Sequence, residues 1–117
     1  MILEAIEKYI EAIRKTEEWG NVVGQMLVDA LSPIIPDIEY SLGWAEAGID
    51  TICLWSEKYK AVNVDLENWE ELKGLGGIIE EVFSDLAWRI DCPFGVWLPA
   101  DVAERVREAL ERLKEKG

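Results

Sequence analysis

Histidine is absent from the 117 residues, which removes the usual near-neutral proton shuttle and the commonest metal ligand. Only two cysteines occur, Cys53 and Cys92, too few for a disulfide-stapled scaffold and not in Cys-x-x-Cys order. The plainer reading is two reduced, buried thiols, with a single bridge between them as the alternative. No apolar run approaches the ~20 residues of a membrane span, and the N-terminus lacks a cationic-then-apolar leader pattern. The expectation is therefore a cytoplasmic chain that meets no membrane. Basic residues are scarce: 12 Lys and Arg against 24 Asp and Glu leave a net charge of −12. That argues against direct nucleic-acid binding, because phosphate contacts need clustered cations. Asn and Gln together number four beside 17 Glu, a thermophile-like composition.

What is present points to one domain. Half of the residues are apolar and 31% are charged, an ordinary globular balance for a single compact unit over 1–117. Residues 1–15 hold three acids and three bases, and residues 89–117 hold six of each. The whole excess of negative charge thus falls in residues 16–88, where fifteen acids meet only Lys58, Lys60 and Lys73. Folding does not require such imbalance and self-repulsion slightly opposes it, so it calls for another explanation. Six tryptophans (19, 44, 55, 69, 88 and 97) are a heavy load for this length, and Trp is enriched at interfaces as well as in cores.

Periodicity divides the chain into elements. Ile2, Leu3, Ile6, Tyr9, Ile10 and Ile13 recur at helical spacing over 2–18. Gly20-Asn21 then suits a stop and a fresh cap, with a second, shorter helix running up to Ser32-Pro33. From Asp37 the period changes to two: Ile38, Tyr40, Leu42 and Trp44 alternate with polar or small residues, as in a half-buried strand. Residues 49–56 are rich in β-formers, and Val62, Val64 and Leu66 alternate again. These three segments predict an antiparallel meander. Helical period returns around the Gly74, Gly76, Gly77 break through Ile90, and Pro99 opens a last helix with Val102, Val106, Ala109, Leu110 and Leu113 inward. The expected class is α+β, a three-stranded antiparallel meander packed with N-terminal, central and C-terminal helices. An all-α multi-helix domain is the alternative, since Ile38, Leu42, Ala45, Ile49 and Ile52 also fit a helical stripe.

Nucleophilic chemistry is poorly served: without His there is no Ser-His or Cys-His pair, and Gly74-Leu75-Gly76-Gly77 lacks the spacing and the Lys-Ser or Lys-Thr of a phosphate loop. One acidic set could hold a hard Mg²⁺ or Mn²⁺ ion: Asp50 at the start of the second strand, with Asp65 and Glu67 at the end of the third. Residues 48–67, with Gly48-Ile49-Asp50 followed by Asp65-x-Glu67, resemble the centre of the PD-(D/E)xK nuclease core. The resemblance implies a metal-dependent phosphodiesterase using those three carboxylates. It departs from that pattern in having no proline before Asp50 and Glu67 where the family prefers lysine. Otherwise no cofactor is expected.

The aromatic and acidic features together favour a non-enzymatic binding or regulatory protein. Trp44, Trp55, Trp69 and Trp88, with Glu70 and Glu71, are the candidate contacts for a basic partner surface. Self-association into a homodimer through Trp-bearing surfaces is the further alternative.

Overall fold

The computed structural model describes residues 2–45, 48–63, 71–84, 90–92 and 95–116. The class is α+β. A long helix α1 (Ile2–Leu31) leads into an antiparallel hairpin of β1 (Glu39–Ala45) and β2 (Gly48–Trp55). A short strand β3 (Lys73–Gly74) precedes helix α2 (Leu75–Val82). Strands β4 (Ile90–Asp91) and β5 (Trp97–Leu98) follow, and helix α3 (Ala100–Lys116) comes last.

α1 continues through Gly20 and Asn21, where the sequence suggested a stop. The glycines serve a different purpose. A methyl group on Gly20 would stand 2.9 Å from Leu42 Cδ2, and one on Gly24 would stand 2.5 Å from Tyr40 Cδ2. The missing side chains let β1 lie directly against the helix, a clearance that offsets the roughly 1 kcal/mol cost of each interior glycine.

β1 and β2 pair from Glu39↔Trp55 to Ala45↔Gly48, with a bulge between Gly43 and Trp44 in which Asp50 is the extra residue. Tyr40 and Leu42 turn towards α1, as do their partners Leu54 and Ile52, both fully buried. This is the alternation the sequence shows. The third strand of this sheet among the described residues is β4, parallel to β2 through Ile52↔Ile90 and Cys53↔Asp91. At the expected third meander strand, Ala61–Asn63 form a turn of 3₁₀ helix, and residues 64–66 lie outside the described residues. β3 and β5 form a separate antiparallel pair, joined by Lys60↔Val96.

The core lies between the hairpin, the C-terminal half of α1 and the two later helices. Leu27, Leu31 and Ile35 meet Ile52 and Leu54 from the sheet, Ile79 from α2, and Val106 and Leu110 from α3. The last helix buries the face its sequence indicates. α2 is shorter than the expected central helix: it starts after Gly74 and ends at Val82, so Ile90 is outside it.

The molecule is elongated. Its extents are 60 × 31 × 22 Å and its radius of gyration is 16.3 Å, against about 13 Å for a compact chain of this length. α1 is the longest element, at 30 residues. At 1.5 Å per residue the helix is about 45 Å long, and every side chain described from Leu3 to Ala12 is exposed. Among the described residues, no helix is long and apolar enough to cross a membrane.

Candidate functional site

The tip of the β1–β2 hairpin is fastened to the middle of α1. Gly48 has φ +115°, a conformation that L side chains rarely adopt, and a Cβ there would run into the Thr16 hydroxyl. Thr16 Oγ1 accepts a hydrogen bond from the Ile49 N–H at 3.0 Å and donates one to the Ile13 carbonyl at 2.6 Å. The far end of β1 is tied down as well, since Tyr40 Oη donates to Asn21 Oδ1 at 3.0 Å.

Trp44 lies at this fastened tip. Its cross-strand partner is Ile49, whose Cγ2 would stand 3.2 Å from a methyl on Gly20. Trp44 and Ile49 therefore share the α1 side of the sheet, yet the indole is 60% exposed. Glu17 and Glu18, both exposed, follow Thr16 on the helix. Among the described residues no ion pair engages Glu17 or Glu18, whereas Glu57 has Lys60 at 3.7 Å and Glu81 has Arg107 at 2.5 Å.

The other sequence candidates divide. Trp55 is half-buried and lines a hollow of about 420 Å³ with Ser41, Ser56, Glu57 and Lys60. Glu71 is exposed. Trp69, Trp88 and Glu70 lie outside the described residues. The same holds for the metal set: the Asp50 backbone is in β2, its side chain and both Asp65 and Glu67 being outside the described residues. Among the described residues, no group of three or more His, Cys, Asp or Glu could hold a metal ion.

Three features escaped the sequence reading. Leu3, Ile6 and Ile10, which share one helical stripe, are 71%, 48% and 43% exposed. Trp97, 39% exposed, was not among the candidate contacts. Asp37 organises the entry to the hairpin: it accepts hydrogen bonds from the Ser56 hydroxyl at 2.7 Å and the Lys58 N–H at 3.0 Å. Burial alone would raise its pKa, but these donors prevail and hold the carboxyl below its ordinary value.

Neither Cys53 nor Cys92 forms a disulfide, and both are half-buried. Burial, with a contribution from the Asp91 charge, pushes the Cys92 thiol up to about 11, which makes it a poor nucleophile. Compared with protein-family models, with curated proteins and with solved structures, the chain finds no match.

Proposed function

We propose that this protein is a small non-enzymatic binding module that receives a basic protein surface on the acidic, tryptophan-bearing side made by the hairpin tip and the adjoining stretch of α1. The exposed indole of Trp44, on a tip fastened to the helix by Thr16 and Gly48, carries the reading. A large amphipathic side chain on a fixed backbone loses little freedom on docking and makes a strong anchor. Glu17 and Glu18, which follow Thr16 on the helix, belong to the segment 16–88, which concentrates fifteen acids against three lysines. Such a field speeds encounter with a cationic partner and selects against acidic ones.

Calorimetric titration with an arginine-rich peptide at low and high salt tests the reading. The expected result is binding that weakens as salt rises. Trp44→Ala should cost about 2 kcal/mol, a roughly thirty-fold loss of affinity, and Glu17→Gln with Glu18→Gln should flatten the salt dependence. Absence of heat at both salt concentrations overturns the proposal, as does an affinity indifferent to both variants.

A further inference from the structure

Strand β1 is an edge of its sheet. Among the described residues its ladder partner is β2 alone, the strand order being β1-β2-β4. The outward row of N–H and C=O groups on such an edge is a template for a further strand, and edges are commonly blunted by lysine, proline, an inward-pointing charge or a bulge. Residues 40–45, Tyr-Ser-Leu-Gly-Trp-Ala, carry no charge and no proline. The bulge, between Gly43 and Trp44, interrupts only the tip end, and the regular stretch Glu39–Gly43 is about 17 Å long. This backbone is already fixed, because Tyr40 is bonded to Asn21 and, at the tip, Ile49 is bonded to Thr16. A strand laid against it would have to order only itself.

Charges on the two sides of the edge select the occupant. Tyr40 and Leu42 turn towards α1, so Glu39 points to the other face of the sheet, where it is exposed. On the helix, Asn21 marks the flank that borders β1, since it holds the Tyr40 hydroxyl. Trp19 and Val23 pack against the core; each is two residues from Asn21, about 200° round the helix, and so points the opposite way. Glu17, exposed, lies four residues before Asn21 and shares its flank, about 6 Å nearer the hairpin tip. Neither neighbouring cation neutralises it: Lys15 pairs with Glu11, and Arg14 makes no ion pair among the described residues. An added strand alternates its side chains between faces. Its residue opposite Leu42 looks to the Glu17 flank of α1, and its residue opposite Glu39, three places along, looks to the other face. Cations at those two places each meet a carboxylate, and β1 and β2 contain no lysine or arginine to oppose them.

We propose that the basic partner presents an extended cationic segment that adds as a strand to the open edge of β1 over Glu39–Gly43, with one cation turned to Glu17 and another to Glu39. This rests on the binding reading above and adds to it the conformation of the ligand and the spacing of its charges.

The probe is a capped peptide, Thr-Val-Arg-Val-Thr-Arg-Val-Thr, titrated into the full chain. N-methylation at its odd or at its even places keeps the charge and removes the N–H donors from one edge of the extended peptide. One methylated set should bind at least ten-fold more weakly and the other within about three-fold of the parent, because one edge of the peptide faces β1 and the other faces water. At saturation, amide exchange should slow at least ten-fold at the outward N–H groups of Glu39–Gly43, while those bonded to β2 change little. Binding without that protection, or equal effects of the two methylated sets, overturns the strand; the basic-surface reading then stands or falls separately on the salt dependence and on Trp44→Ala. Protection of β1 by a peptide whose affinity ignores salt overturns the basic-surface reading and keeps the strand. Mass doubling of the peptide-free chain in sedimentation velocity, with the same β1 protection, assigns the edge to a second copy and overturns the proposal. Failure of the peptide to bind at millimolar concentration overturns it as well, and takes the binding reading with it if an arginine-rich peptide also fails.

Discussion

Replacing Gly24 by alanine separates two opposing effects within one helix. In an unobstructed helix interior this change gains roughly 0.5–1 kcal/mol, because glycine loses more backbone freedom on folding. At Gly24 the new methyl would lie 2.5 Å from Tyr40 Cδ2 and 2.8 Å from Cγ and Cε2. Those ring atoms cannot swing aside freely. Tyr40 is held by its pairing with Leu54 and by its hydroxyl bond to Asn21. Overpacking of this kind costs about 1–3 kcal/mol, so the clash prevails and the expected net loss is about 0.5–2 kcal/mol. Thermal melts should show Tm falling by roughly 2–8 °C. Gly77 in α2 provides the opposite sign, since a methyl there meets nothing within 4 Å. Gly77→Ala should therefore raise Tm by a few degrees. In a Tyr40→Ala background, Gly24→Ala should become neutral or stabilising, and the double-mutant cycle isolates the contact. The reasoning fails if Gly24→Ala raises Tm alongside Gly77→Ala, or if its cost persists once the ring is gone.

Two further outcomes concern titrating groups. Asp37→Asn should destabilise the fold by about 1–2 kcal/mol at neutral pH, by removing a charged acceptor from the Ser56 and Lys58 donors. Because the Asp37 pKa is lowered in the fold, its contribution is fully present above the ordinary value of 3.8 and is lost as pH falls through the folded value. Denaturant melts of the two proteins should thus converge in acid, and a gap independent of pH would refute this. Cys92, with a thiol near 11, holds about one thiolate per thousand molecules at pH 8, so its alkylation in the native protein should be about a hundredfold slower than for an ordinary thiol. Rapid labelling of Cys92, followed by peptide mass spectrometry, would contradict its burial.

The hairpin was legible because its signal is local. Alternation at Tyr40 and Leu42 against Glu39 and Ser41 reports which side of the strand meets the core. α3 was legible for the same reason, through Val106, Ala109 and Leu110. Gly20 misled because a glycine that ends a helix and a glycine that admits a neighbouring strand look alike until Leu42 is in place. β4 has only two residues, Ile90 and Asp91, too few for any period to register. It is held by a parallel neighbour distant in sequence, which no local pattern reveals. The candidate site was partly visible. Trp44 stood out by residue type, but its 60% exposure is set by the packing around it, which no local pattern reports. The exposure of Leu3, Ile6 and Ile10 was invisible because an apolar stripe reads identically whether it meets its own core or nothing at all.

Cut free as a peptide, residues 2–12 would fall short of the ~12–15 residues that an isolated helix needs in water, since nucleating the first turn is unfavourable. In the intact chain no nucleation is required, because the buried half beyond Thr16 presents a finished turn onto which each earlier residue adds. Opening of residues 2–12 should therefore proceed turn by turn towards Thr16 rather than as one cooperative event. Amide hydrogen exchange would record a gradient, protection rising residue by residue towards Ile13 and stepping up sharply once the hairpin contact begins.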